Sequence, residues 1–150
     1  MTGGAGFIGS HLCEALVEAG DEVVCVDDLS SGSEANVAHL RGSGRFELIV
    51  DDACQALGDV VGPFDTVVHL ACPASPADYL AHPLETLAVG SKGTEAALRL
   101  AQARGARFVL ASTSEVYGDP LVHPQSESYW GNVNPNCLSD ESAKRLLSNG

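Results

Sequence analysis

Three glycines recur at a spacing of three in Thr2-Gly3-Gly4-Ala5-Gly6-Phe7-Ile8-Gly9, and a helix-period segment follows at once. Without Cβ atoms, Gly3, Gly6 and Gly9 leave backbone N–H groups bare at the positive end of a helix, which is what a pyrophosphate needs. Asp27 comes 18 residues after Gly9, at the end of a β-branched run, where a carboxylate could accept both ribose hydroxyls of an adenosine. Asp28 adds a second negative charge that repels a 2′-phosphate, so NAD is expected in preference to NADP. The same residues could form no more than a tight turn and a solvated acidic loop; turn and carboxylate together favour the dinucleotide.

The elements that must position these groups follow from periodicity. Runs at 22–27, 45–50, 65–70 and 107–112 are rich in β-branched residues and read as buried parallel strands alternating with helices, an α/β pattern. Ile8, Leu12, Ala15, Leu16 and Ala19 share one helical face, closed by Gly20. A second helix is expected over 33–41 with Ser33 as N-cap, and a long one over 83–104, ended by Gly105 and weakened in its middle by Gly90 and Gly93. Segment 118–135 lacks periodicity but holds three prolines and the only tryptophan, as expected of an ordered loop that could wall a site; 140–147 looks helical again. His69, inside an apolar strand, reads as a satisfied core residue and is given no chemical role.

With 150 residues the chain is about the length of one domain, and 45% hydrophobic against 19% charged residues is the balance of a globular fold. Eight basic against twenty acidic residues give a net charge of -12, a sign that repels nucleic-acid phosphates and anionic lipid, so neither is expected as a partner. The five cysteines form no CxxC pair and suggest no disulfide framework. With no apolar run of membrane-spanning length and no charged n-region, the expected compartment is the reducing cytoplasm.

Three further segments carry a resemblance: His69-Leu-Ala-Cys-Pro-Ala-Ser-Pro-Ala-Asp-Tyr79, Ala111-Ser-Thr-Ser-Glu-Val-Tyr-Gly-Asp-Pro120 and His123-Pro-Gln-Ser-Glu-Ser-Tyr-Trp-Gly-Asn-Val-Asn-Pro135. With the glycine turn, they resemble the UDP-glucuronate decarboxylase (UDP-xylose synthase) family of extended short-chain dehydrogenases/reductases. The resemblance runs from Thr2 to about Pro135. It implies a Rossmann-like, doubly wound parallel sheet that binds NAD and UDP-glucuronate. It also implies a reaction in which C4 of the sugar is oxidised, the β-keto acid loses carbon dioxide because the departing electrons enter an enolate, and C4 is reduced again to give UDP-xylose. Carried over by position, Gly3, Gly6, Phe7, Ile8, Gly9, Asp27, Asp28, Ser31, Gly32, Asp52, Ala53, Leu70 and Ala71 would line the NAD site. Tyr79, Ser114 and Glu115 would face the substrate, and Thr113, Glu115 and Lys144 would be the surviving catalytic positions. Blander roles stay open: Thr113 could satisfy backbone groups at a strand end, Glu115 could be a solvated turn residue and Tyr79 a surface aromatic. The 83–104 helix resembles one that pairs two subunits, so a homodimer is expected by analogy.

The chain also departs from that family. Its only lysines are Lys92 and Lys144, preceded four positions earlier by Ala88 and Asp140, so the Tyr-x-x-x-Lys pair that takes the C4 hydroxyl proton is absent. Neither Ser139 nor Asp140 replaces a tyrosinate, and loss of that base lowers the rate by about 10² to 10⁴. Glu85 and Gly90 stand where relatives carry a substrate-facing Lys and an Asn. Only Met1 and Thr2 precede the turn, so the central strand that enters such turns is expected to be missing, with its neighbours left two strand spacings, about 9.6 Å, apart and nothing evident to fill the gap. The expectation is an amino-terminal fragment without its first strand or its substrate domain, and without turnover. Two alternatives stand beside it: a non-catalytic dinucleotide-binding or subunit-pairing module, and a nucleotide-sugar 4,6-dehydratase or epimerase. The latter is disfavoured by Ser114, which occupies the place of an acidic proton donor.

Overall fold

The computed structural model describes residues 1–133, in two compact units that divide after Ala111. In the first unit the element order is α1 (Phe7–Ala19), β1 (Val23–Asp27), β2 (Phe46–Val50), α2 (Ala53–Ala56), β3 (Thr66–His69), α3 (Pro76–Ala81), α4 (Pro83–Ala88), α5 (Thr94–Arg104) and β4 (Arg107–Leu110). β1 pairs with β2 and β3 with β4, both parallel, with Val23 opposite Phe46 and Thr66 opposite Arg107. The four expected strands are all present, each trimmed by one or two residues.

The gap expected between β1 and β3 is bridged at one level. Thr2 lies parallel to both Val26 and His69. Its amide donates to the Val68 carbonyl at 2.9 Å and its carbonyl accepts from Leu70 at 3.1 Å, while Gly3 N donates to Val26 O at 3.0 Å. The order is therefore β2-β1-Thr2-β3-β4, and the sequence-based expectation that nothing fills the gap is corrected to this extent. Two residues suffice because a strand's hydrogen bonds are local: one extended peptide can pair on both sides without any longer strand.

Helices cover both faces. On one, Val26 and Val67 pack with Ala53, Ala56, Leu57, Val60, Ala97 and Ala101 from α2, α5 and the loop between α2 and β3. On the other, Cys13 of α1 meets Cys25, Val23, Val37, Leu40 and Phe46. Gly20 ends α1 at φ 97° and Gly105 ends α5 at φ 65°, the left-handed conformation that both caps require.

Two helix expectations need correction. The single helix over 33–41 is instead a pair of 3₁₀ turns, Glu34–Asn36 and Ala38–Ser43, broken at Val37, whose β-branched side chain is fully buried; Ser33 does cap the first, accepting from Ala35 N at 3.3 Å. The helix over 83–104 is continuous only through a π turn at Val89–Gly93, spanning the two glycines expected to weaken it. The short α2 and α3 were not expected. Asp52 caps α2 by accepting from Cys54 N at 2.8 Å, and Pro76 opens α3.

In the second unit Thr113 caps a 3₁₀ turn, Ser114–Tyr117. The loop that follows is ordered, as expected for 118–135 as far as it is described: Asn132 N donates to Tyr117 O at 3.0 Å and Asp119 N to Asn132 O at 3.1 Å. The helix expected over 140–147, and Lys144 with it, lie outside the described residues.

Candidate functional site

The glycine turn sits where β1, the Thr2 bridge and β3 end. Gly3 adopts φ +70°, and a Cβ there would stand 2.7 Å from the Ala71 amide nitrogen, so only glycine allows the turn to lie against Leu70 and Ala71. A Cβ on Gly9 would run into the Gly3 carbonyl and approach Gly4 Cα to 2.7 Å, so α1 can start this close to the turn only without one. Gly6 is the N-cap residue of α1 and has no side chain to cap it, and no acidic residue occupies the first turn. Ser10 N to Gly6 O, at 2.9 Å, is the first helical bond, which leaves the amides of Phe7, Ile8 and Gly9 for an external acceptor. The Phe7 and Ile8 side chains are exposed beside them.

Asp27 ends β1 directly beneath this turn. Its Oδ2 accepts from Ala5 N at 2.8 Å and its Oδ1 from Leu29 N at 2.9 Å, and only 8% of the residue is exposed. The carboxylate is thus a structural acceptor for the turn as well as a candidate for the ribose; each oxygen keeps a further lone pair for a hydroxyl. Gly32 closes the same corner, since a Cβ there would lie 2.9 Å from the Ala5 carbonyl and 3.1 Å from Asp27 Oδ1. Asp28 is exposed and accepts from Ser30 N at 2.9 Å, and Ser31 is exposed next to it. At the end of β2, Asp51 N donates to Asp27 O at 3.2 Å, which brings Asp52 and the buried Ala53 near the same end of the sheet. Gly3, Gly6, Gly9, Asp27, Gly32, Leu70 and Ala71 therefore form one corner, with Asp28, Ser31, Asp52 and Ala53 on the adjoining strand ends.

Tyr79 lies on α3, 39% exposed. Thr113, Ser114 and Glu115 belong to the second unit and are exposed; the Thr113 hydroxyl accepts from Glu115 N at 3.2 Å.

Two contributors escaped the sequence reading. Thr2 is fully buried, and its hydroxyl bonds His69 Nδ1 at 2.7 Å and accepts from Ala71 N at 3.4 Å, tying the turn's entry to the end of β3. Ala5 is the pivot on which Asp27, Ser33 and Asn36 converge: Ser33 N and Asn36 Nδ2 donate to its carbonyl at 3.0 and 2.8 Å. A hydroxyl just before a glycine turn was the only available signal for Thr2; Ala5 had none. His69 is 3% exposed and satisfied, as expected, and burial holds its pKa below the ordinary value. Among the described residues no cluster of His, Cys, Asp or Glu could hold a metal, and no helix is long and apolar enough to cross a membrane.

A glycine turn at the carboxyl ends of parallel strands, opening a helix with bare amides and braced by an acidic residue at the next strand end, defines a dinucleotide-binding α/β protein. The chain belongs to the NAD dependent epimerase/dehydratase family, whose model matches residues 1–137. It is 51% identical to UDP-glucuronic acid decarboxylase 1 of Arabidopsis thaliana and 53% identical to that of Xenopus tropicalis, in each case over 90% of this chain but only 30% and 31% of the relative. A solved structure of dTDP-glucose 4,6-dehydratase from Streptomyces venezuelae with NAD bound superposes with a TM-score of 0.76 at 29% identity, covering 98% of this chain and 49% of that one. The chain spans about a third of the length of these curated relatives.

Proposed function

We propose that the chain is the NAD-binding portion of a UDP-glucuronate decarboxylase. One observation carries the NAD-binding half of this reading: the Asp27 carboxylate, at the end of β1, is hydrogen-bonded at 2.8 Å to Ala5 inside the glycine turn, so the proposed anion-binding amides and ribose-binding carboxylate share one corner; the decarboxylase half rests on the 51–53% identity to such enzymes. The amides of Phe7, Ile8 and Gly9 would hold the pyrophosphate, Asp27 and Asp28 the adenosine ribose, and Asp52, Ala53, Leu70 and Ala71 the walls, with Ser31 and Gly32 closing the loop. When bound, NAD supplies the oxidising equivalent for sugar C4, which makes the sugar carboxylate β to a ketone and able to leave. By the resemblance alone, Tyr79 in the first unit and Ser114 and Glu115 in the second are the proposed substrate-facing positions, and Thr113 and Lys144 the proposed catalytic ones. With no Tyr-x-x-x-Lys in the 150 residues, these groups are left without the phenolate that removes the C4 hydroxyl proton, so the chain by itself is proposed not to turn over. By the same resemblance, the 83–104 segment, on which Leu84 and Leu87 are exposed, is the proposed surface through which two copies would pair.

The reading is tested by titrating NAD against thermal stability and by incubating the chain with NAD and UDP-glucuronate. A rise in melting temperature with NAD, equivalent to about 2.7 kcal/mol at a hundredfold excess over Kd, together with no UDP-xylose or 4-keto sugar, is the expected result. No shift at saturating NAD would remove the cofactor assignment; appearance of UDP-xylose would remove the claim of inactivity.

A further inference from the structure

Cys13 of α1 and Cys25 of β1 meet beneath the glycine turn. Both are fully buried, and neither has a part in the site described above. A Cβ built on Gly4 would run into the Cys25 sulfur and stand 3.0 Å from the Cys13 sulfur, so the two sulfurs flank one point and the buried Gly4 rests on both. The Cys13 sulfur lies 3.7 Å from the Gly4 carbonyl oxygen and 3.6 Å from Met1 Sδ, contacts within reach of a weak S–H donor. Among the described residues no backbone N–H donates to the Gly4 carbonyl, which leaves the Cys13 thiol as its donor. The next residue, Ala5, carries the amide that Asp27 Oδ2 accepts at 2.8 Å, so a displacement of Gly4 is passed directly to the corner.

We propose that Cys13 and Cys25 are a reversible dithiol–disulfide pair, oxidised by a hydroperoxide, whose oxidation loosens the glycine turn. A side-chain hydrogen bond with Cys25 lowers the Cys13 pKa from its ordinary value, against the opposing effect of burial, while the same pairing and burial raise that of Cys25. Cys13 is therefore the thiol that ionises first and attacks. With hydrogen peroxide, the Cys13 thiolate breaks the O–O bond, becoming a sulfenic acid as one water forms. The Cys25 sulfur then attacks the Cys13 sulfur, the S–S bond forms and the second water leaves. Two thiols lose two electrons and two protons, and the peroxide is reduced to two waters. Burial of both sulfurs requires α1 to open briefly from β1 for the first step. The sulfenic oxygen has no room under Gly4 once α1 closes, so Cys25 resolves it. The disulfide draws the sulfurs to about 2.05 Å and takes the S–H donor from the Gly4 carbonyl. A buried carbonyl without a partner is costly, so the turn shifts and carries Ala5 away from Asp27. The resulting loss of dinucleotide affinity rests on the NAD reading proposed above; the disulfide and the loosened turn do not.

The test caps the exposed thiols of the folded, reduced chain with iodoacetamide and then adds hydrogen peroxide. Three quantities are read: the disulfide map by peptide mass, hydrogen exchange of the Ala5 amide, and NAD affinity by calorimetric titration. The expected result is a Cys13–Cys25 linked peptide lighter by two hydrogens, with Ala5 exchange faster and NAD binding weaker, each by about tenfold or more, and all three restored by dithiothreitol. Cys25→Ser, or Cys25→Val should the serine variant not fold, is expected to show none of these reversible changes. The proposal is overturned by the absence of a linked peptide at a peroxide dose that oxidises the exposed Cys72 of an uncapped sample. Unchanged Ala5 exchange in the linked protein overturns it too, as does the same reversible loss in the Cys25 variant. If the reduced chain binds no NAD, the cofactor reading fails on its own, and the linked peptide with the Ala5 exchange still decides the pair.

Discussion

Asp27 Oδ2 accepts the Ala5 amide at 2.8 Å, so the last residue of β1 and the middle of the glycine turn move as one piece. Asp27→Ala strands the Ala5 and Leu29 amides in a nearly water-free corner. Hydrogen bonds to a charged acceptor contribute about 1.5–3 kcal/mol each, so the variant is expected to lose at least 2 kcal/mol in urea unfolding. Asp27→Asn keeps an acceptor for one amide and should lose less stability, yet still weaken NAD binding about tenfold or more by calorimetric titration.

Gly3→Ala meets two obstacles, a left-handed φ of +70° and the Ala71 nitrogen 2.7 Å from the new Cβ. The backbone strain alone is about 1–2 kcal/mol. The expected outcome is a lower melting temperature and loss of the NAD-induced stabilisation, because the turn can no longer lie against β3.

Gly20→Ala separates strain from site geometry. Gly20 has φ +97° and no atoms within 4 Å of a built Cβ, so the substitution is expected to destabilise by about 1 kcal/mol through the backbone alone. Calorimetric titration should find NAD affinity unchanged at a temperature where the variant is folded; a loss as large as that of Gly3→Ala would show that the Gly3 effect is global unfolding.

His69 predicts a pH dependence. Burial lowers its folded pKa below 6.5, partly opposed by a hydrogen bond with the Val89 backbone. Between the folded pKa and 6.5 the unfolded chain binds the extra proton, so the stability from neutral His69 is fully present above pH 6.5 and is lost as pH falls toward the folded pKa. Melting curves across this range should show a shallower decline for His69→Gln, which keeps a polar partner for the Thr2 hydroxyl but cannot titrate.

The local elements were legible in the sequence because their causes are local. Apolar spacing from Ile8 to Ala19 specifies α1, Gly20 and Gly105 terminate helices by a backbone preference of their own, and β-branched runs mark all four strands. The glycine turn and Asp27 were legible as types at a spacing. Tertiary structure alone decided the rest. Whether Asp27 reaches the turn depends on how β1 is placed against α1 and the Thr2 bridge, and its use by Ala5, 22 positions earlier, could not be read from spacing. The burial of Thr2 against His69 joins positions 67 apart, and the same residue pairs with Val26 on its other side. Periodicity reports which face a residue presents to its own element. Contacts between distant segments follow from packing, which adds the constraints of every other element at once.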